Sequence, residues 1–310
     1  MSVSGSGSGR AHASLAGART VQVRAPAKVN LRLRILAREV SGFHQLETIF
    51  LRLELADVVR VRRAHGHSLD VGGDVSSAAL GPMEQNLAWR AASAYGDASG
   101  MRDGWAIELE KHIPVGGGLG GGSADAGAVL RALDAMSSAP LGEARLLALA
   151  ATLGADVPFL TGTHACALGW GRGERLLALE PPESRPVVLL VPAFGVNTAE
   201  AYGWLRERAV PPVADDVGIL EPSALASWTG LAAVAANDFQ TVVAARHPVL
   251  SSLIRTLKEA GCAPAMMSGS GSVVFGVLPA GTSRPPRVDE PCSVLLTRSA
   301  TRVEPVSALD

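Results

Sequence analysis

Between Pro114 and Ser123 the chain reads Pro-Val-Gly-Gly-Gly-Leu-Gly-Gly-Gly-Ser, with six glycines in the seven positions from Gly116 to Gly122. Ordering so many glycines is entropically costly, so the segment needs a use that only glycine can meet. Glycine lets the backbone approach a ligand closely and takes positive φ. A helix start adds unpaired N–H groups and the positive end of a dipole, and a di- or triphosphate suits such a cradle. The competing reading is an ordinary loop in which Ser123 caps the next helix. The segment carries no Gly-Lys-Ser or Gly-Lys-Thr, which removes the P-loop nucleotidase pattern. Gly116, Gly118 and Gly121 do satisfy G-x-G-x-x-G. A dinucleotide fold, however, needs a strand ending in an acidic residue about 20 positions on, and that window holds Gly142-Glu143-Ala144-Arg145 entering a helix.

Two further residues have types suited to group transfer. Lys28 follows Pro26 at a strand start among apolar residues, where a snorkelling surface lysine is the bland alternative. Asp156 follows Gly154-Ala155 and precedes Val157-Pro158, a place where a turn or cap carboxylate is ordinary. Transfer of a group to an alcohol would use a carboxylate to receive the hydroxyl proton and a cation to stabilise developing negative charge. Ser123 is a candidate contact for phosphate or magnesium, and Asp125, in the same helical turn, reads as a favourable dipole partner. Met267-Ser268-Gly269-Ser270-Gly271-Ser272 is a second glycine-bearing loop, and Asn237-Asp238 ahead of Phe239 suits a helix N-cap. The histidines, His65, His67 and His247 among them, show no metal-binding spacing.

Periodicity supplies the elements that must position these groups. Strands are expected at Val21–Arg24, Val29–Leu36, Thr48–Arg62 and Trp105–Leu109, and helices at Gln85–Ala94, Ser123–Met136 and Gly142–Leu153. The glycine loop thus joins a strand to a helix. Further on the pattern predicts strands at Ala165–Gly169, Val187–Val191, Val273–Val277 and Ser293–Leu296, with helices at Ala199–Arg208, Ala236–Ala245 and Val249–Ala260. Val210–Ala214 and Leu278–Pro291 read as surface loops.

The whole chain limits the function further. Its 310 residues are 47% hydrophobic and 18% charged, which suits a folded protein with two lobes. A formal net charge of -1 gives no electrostatic footprint for nucleic acid or an anionic membrane, so a small-molecule partner is expected. Cys166, Cys262 and Cys292 form no C-x-x-C pair, and no apolar run reaches the ~20 residues that span a bilayer. A cytoplasmic protein is expected. The Ser-Gly repeats before Thr20 read as a flexible tail, and Arg298 to Asp310 as a weakly ordered one.

The glycine loop, together with Ala25-Pro26-Ala27-Lys28-Val29-Asn30-Leu31, Gly42-Phe43-His44-Gln45-Leu46-Glu47-Thr48, Leu153-Gly154-Ala155-Asp156-Val157-Pro158-Phe159 and the Met267–Ser272 loop, resembles the GHMP small-molecule kinases. Their phosphate loop reads Pro-x-Gly-Leu-Gly-Ser-Ser or a near variant. The resemblance runs from about Val21 to Leu296. It implies an α+β, two-lobed fold: an N-terminal lobe like ribosomal protein S5 domain 2 over residues 21–164 and a ferredoxin-like C-terminal lobe over 165–297. The tails, 1–20 and 298–310, fall outside it.

The resemblance also implies ATP and Mg2+, with Asp156 as base and Lys28 as its electrostatic partner. Gly116, Gly117, Gly118, Leu119, Gly120, Gly121, Gly122 and Ser123 become the phosphate loop. Asn86, Lys111 and Pro114 fall where the family contacts adenosine, although a helix cap, a strand-end charge and a turn residue describe them equally well. The member most resembled phosphorylates the 2-hydroxyl of a cytidine-diphosphate-linked methylerythritol, a step of the non-mevalonate isoprenoid route. Asn30, Phe43, His44, Tyr202, Gly269 and Gly271 form the implied substrate set, with Phe43 and Tyr202 on opposite faces of the base. Relatives often carry Tyr where Phe43 stands, so stacking is kept and a hydroxyl is lost. A homoserine- or mevalonate-type kinase is the alternative, and a monomer or homodimer is expected. A ligand-binding relative without turnover is disfavoured by the presence of both Lys28 and Asp156.

Overall fold

The computed structural model describes residues 15–38, 44–74, 82–207 and 220–309. The N-terminal expectation before residue 15, the loop at Val210–Ala214 and Phe43 lie outside the described residues.

The first lobe is built on a long antiparallel ribbon, β1 (Thr20–Arg38) against β2 (His44–Ala64). Val21, Val23, Ala25, Ala27, Val29, Leu31 and Leu33 alternate along β1 and are all buried, the period of two that one core-facing side of a strand demands. The sequence predicts two strands here, whereas the structure has one. Pro26 does not end it because the pairing shifts register between Pro26 and Lys28, and such an irregularity tolerates a residue without an N–H. The same irregularity frees the Lys28 N–H to donate to the carbonyl of Leu119 in the glycine loop, at 2.9 Å.

Next along the chain come β3 (Ser68–Gly73), α1 (Leu87–Ser99), β4 (Gly104–Lys111), α2 (Gly121–Met136), α3 (Glu143–Leu153) and α4 (Val157–Thr161). β4 pairs with β2 over residues 58–64, and β3 runs parallel to β4. Alanines 88, 91 and 92 of α1 and alanines 124, 126, 128 and 132 of α2 are buried, so small side chains let these helices pack tightly on the sheet. The hairpin β5 (Cys166–Gly171) and β6 (Arg175–Leu179) joins the same sheet, β5 pairing with Leu46–Leu51 of β2. The first sheet therefore extends past the expected boundary at 164/165. Cross-strand pairing, which local periodicity does not report, decides this.

The second lobe comprises β7 (Pro186–Pro192), α5 (Thr198–Glu207), α6 (Pro222–Leu225), α7 (Trp228–Ala233), β8 (Ala236–Asn237), α8 (Asp238–Arg246), α9 (Val249–Glu259), β9 (Ala265–Met267), β10 (Val274–Val277) and β11 (Cys292–Arg298). Its antiparallel sheet has the order β11-β7-β10-β9, the ferredoxin-like arrangement, with the expected loop 278–291 standing where a second crossover helix would run. Leu250, Leu253, Ile254 and Leu257 recur at helical spacing on α9 and are buried in this lobe's core.

The expected C-terminal tail is docked. Ser299 is buried, Ala300 donates to the Arg52 carbonyl at 2.9 Å, and β12 (Ser307–Ala308) pairs with β1. Backbone pairing supplies the order that this short polar segment's composition does not advertise. β8 runs parallel to β1 at Arg32 and Leu33, so the two lobes share a sheet edge beside the glycine loop.

Candidate active site

The glycine loop leaves β4 and enters α2 at Gly121, two residues earlier than the periodicity predicts. Gly120 is the N-cap, with φ 73°, and no side chain caps the turn, so the cap reading of Ser123 is corrected. The leading N–H groups of α2 are left to a ligand. Asn86, Pro114, Gly116, Gly117, Gly118, Leu119, Gly120, Gly121 and Gly122 line a cleft of about 180 Å³ together with Asp125 and the Lys111 side of β4. That lining of backbone amides suits an anion. Asn86 itself works as the α1 cap, accepting from the Ala88 N–H at 2.9 Å.

The second loop closes on the first. Ser268 Oγ donates to the Gly118 carbonyl at 2.9 Å, and the Val273 N–H donates to the Gly117 carbonyl at 3.1 Å. A Cβ on Gly118 would stand 2.2 Å from the Ser268 carbonyl oxygen, so the missing side chain serves loop-to-loop contact as well as ligand approach. Gly269 and Gly271 take positive φ of 56° and 93°. Asn237 is both cap and clamp: its Oδ1 accepts from the Phe239 N–H, and its Nδ2 donates to the carbonyls of Met267 and Gly269, each at 2.8 Å.

Lys28 passes directly beneath this joint. A side chain on Gly120 would meet Lys28 Cε at 3.0 Å. The lysine side chain is 3% exposed, and its ammonium donates to Asn30 Oδ1 at 2.7 Å and to the Gly118 carbonyl at 3.1 Å. It lies 3.2 Å from Asp156 Oδ2. Asn30 is held in turn by Thr48 Oγ1 at 2.8 Å, and Thr48 donates onward to the Arg32 carbonyl at 2.7 Å. Asp156 is the N-cap residue of α4, yet its carboxylate makes no cap hydrogen bond. The side chain is 30% exposed and turned to the buried ammonium. One face of a reacting hydroxyl could therefore meet a carboxylate while phosphate oxygens meet Lys28 and the α2 N-terminus.

Family models for the GHMP kinase N-terminal domain and the GHMP kinase C-terminal domain match residues 86–164 and 223–285. The 4-diphosphocytidyl-2-C-methyl-D-erythritol kinase of Pelotomaculum thermopropionicum is 40% identical over 257 residues, covering 82% of this chain and 87% of that protein. The chain belongs to the GHMP kinase family. A crystal structure of 4-(cytidine 5'-diphospho)-2C-methyl-D-erythritol kinase superposes with a TM-score of 0.66 at 37% identity, covering 83% of this chain and 89% of that one. Homoserine kinase from Cytophaga hutchinsonii superposes with 0.67 at 16% identity, covering 93% and 97%, a likeness of fold alone.

Two sets of residues in this GHMP kinase make contacts that the sequence does not show. His44 and Tyr202 stack directly, with centroids 4.5 Å apart and planes 16° apart, and Phe239 meets Tyr202 edge-on at 4.9 Å. Tyr202 thus contributes to one aromatic wall beside Asp156; its expected relation to Phe43 lies outside the described residues. Burial, and then the Asp156 charge, hold its hydroxyl pKa above the ordinary value. Lys111 is the second. Its ammonium is buried between Asp57 and Asp125, 2.5 Å from Asp125 Oδ2, and the residue lines the cleft. Asp57 Oδ1 further accepts from the N–H groups of His112 and Ile113, at 2.6 and 2.8 Å, pinning the chain just ahead of the loop.

Sequence reasoning misses Arg52 and Asp57, and it places Thr48 and Ser268 only within longer blocks, without the hydrogen bonds they make here. The available signal was a charged residue inside an apolar extended segment, as in Leu51-Arg52-Leu53 and Ala56-Asp57-Val58. Among the described residues no group of three His, Cys, Asp or Glu side chains is placed to hold a metal ion, and Ser123, half-buried in the first turn of α2, is not among the residues that line the cleft.

Proposed function

We propose that this GHMP kinase transfers the terminal phosphoryl group of ATP to the 2-hydroxyl of 4-diphosphocytidyl-2-C-methyl-D-erythritol in the non-mevalonate isoprenoid route. One observation carries the chemical reading: the Asp156 carboxylate, uncommitted to its helix, stands 3.2 Å from a buried ammonium beneath the glycine loop. In this reading Asp156 receives the hydroxyl proton while the oxygen attacks the terminal phosphorus, and ADP leaves with the electron pair of the broken P–O bond. Lys28 stabilises the charge that develops between the two, and because it is desolvated its field is weakly screened.

The α2 N-terminus and the N–H groups of the glycine loop hold the phosphates. Mg2+ would neutralise charge on the phosphate oxygens. Ser123 is the residue available to it, and one hydroxyl fits an ion that takes most of its ligands from phosphate and water. The His44–Tyr202 wall supports the cytidine: a pyrimidine can lie along an aromatic surface while its polar edge meets His44. No helix among the described residues is long and apolar enough to cross a membrane. We read the enzyme as working on cytoplasmic nucleotide pools.

The test is ADP release with three acceptors in parallel: the cytidine-linked methylerythritol, homoserine and mevalonate. Turnover with the first alone is the expected result, and turnover with homoserine or mevalonate alone would replace this substrate assignment.

A further inference from the structure

Arg52 is among the largest fully buried side chains of the protein, and among the described residues no carboxylate pairs with it. Its guanidinium instead donates to main-chain carbonyls: Nε to His164 at 3.0 Å, and Nη2 to Gly162 at 2.8 Å and to Phe159. These carbonyls belong to the end of α4 and the turn leaving it. That is where a helix leaves acceptors unpaired and where a cation is favoured. Burial, and secondarily Arg131, push the guanidinium pKa down to about 9, which leaves it charged at neutral pH. A buried cation without a counter-ion is a poor stabiliser, and apolar packing would serve the core better, so the arrangement calls for another reason.

The geometry points to Asp156. Arg52 is paired across the ribbon with Lys28, so the two cations sit side by side on neighbouring strands. Between them runs a stack: the Lys28 ammonium lies 5.9 Å from the Phe50 ring centroid, Phe50 stacks on Phe159 at 4.8 Å, and the Arg52 guanidinium carbon lies 4.9 Å from the Phe159 centroid. Asp156 begins α4 and Arg52 holds its far end one turn away. The intervening bonds, Leu160 N–H to the Asp156 carbonyl at 3.1 Å and Thr161 Oγ1 to the Val157 carbonyl at 2.8 Å, make the turn one unit. The opposite side is blocked by α2, where a Cβ on Gly127 would lie 2.7 Å from the Leu160 carbonyl carbon.

We propose that Arg52 is a positioning residue: by gripping the C-terminal carbonyls of α4 against α2 it fixes the Asp156 carboxylate at its working distance from Lys28. The inference rests on the reading of Asp156 as base. A reacting group misplaced by about 1 Å can cost about 10²-fold in rate, so a small tilt of this five-residue helix would suffice.

The test uses Arg52→Met and Arg52→Lys in the full chain, each confirmed folded by its melting transition, with and without Asp156→Asn. Both variants are expected to lower kcat, Met by about 10²-fold and Lys by less, because a single ammonium keeps the charge but not the fork. KM for ATP and for the acceptor should each stay within about threefold of wild type, as expected for loss of an interaction that matters only in the transition state. On the Asp156→Asn background neither change should cost further rate, since Arg52 acts through that carboxylate. Wild-type kcat in either folded variant overturns the proposal, as does a loss that multiplies on top of Asp156→Asn or appears mainly in KM. If Arg52→Met does not fold, Arg52→Lys carries the same decision alone. Retained activity in Asp156→Asn itself would reject the base assignment instead, so the two failures are distinguishable.

Discussion

Lys28 donates to Asn30 and to the Gly118 carbonyl and forms an ion pair with Asp156 at 3.2 Å, so its ammonium is shared between the ribbon, the glycine loop and the proposed base. Lys28→Met should cut turnover, and because the pair acts as a unit, the double change with Asp156→Asn should lose less than the product of the single losses. A full product of the two, in ADP release by folded variants, would mean independent roles. Tyr202 belongs to the same scale. Tyr202→Ala removes half of the stacked pair and should weaken the cytidine substrate by ~1–3 kcal/mol, read as a raised KM, while KM for ATP moves little. Equal effects on both substrates would remove the base from this wall. Lys28, Asp156 and His44 were legible in the sequence because each sits in a short block whose neighbours restrict its use. The contact of His44 with Tyr202 was not, since it joins two lobes.

At the scale of elements, the glycine loop is fastened from below by Asp57 of β2, Lys111 of β4 and Asp125 of α2. Burial outweighs the attraction of Lys111 and raises the Asp125 carboxyl to about 7, with Asp57 adding to the rise. Burial alone would lower Lys111, but the charges of Asp125 and Asp57 more than compensate and hold it above its ordinary value. A raised carboxyl favours folding most when protonated, so Asp125's contribution is complete below about pH 4 and lost as pH rises through about 7. Asp125→Asn, which keeps the shape and cannot ionise, should therefore gain in melting temperature relative to wild type as pH rises from 4 to 7. A difference that stays flat over that window contradicts the linkage. Lys111→Met leaves two buried carboxylates without their cation and should cost about 3–5 kcal/mol in urea unfolding. A cost below about 1 kcal/mol would show that water or rearrangement replaces the ammonium. The loop and α2 were legible from glycine content and periodicity. The cluster beneath was not, because Asp57 and Lys111 are 54 residues apart and only strand pairing brings them together.

At the scale of the whole molecule, the site is made by two lobes that meet loop to loop. Gly117 and Gly118 of the first lobe bond to Val273 and Ser268 of the second, and β8 extends the first sheet from within the second half of the chain. Two lobes were expected from chain length, and the ferredoxin-like sheet from the family resemblance carried by short motif blocks. The true extent of the first sheet, through β6, and the docked residues 299–309 depend on partners far away in sequence and could not be read along the chain. The same distance hides Arg52, whose carbonyl acceptors lie 107 to 112 residues on. What the assembly achieves, on this account, is a carboxylate held ready beside a desolvated cation where both substrates converge. The measurement that tests this most directly is turnover of Asp156→Asn set against its binding of ATP and of the cytidine-linked acceptor, each measured on folded protein. The account expects both affinities near wild type and ADP release lowered by ~10²–10⁴-fold. Turnover above about a tenth of wild type, below the range of general-base effects, would make Asp156 a turn residue and contradict the mechanism.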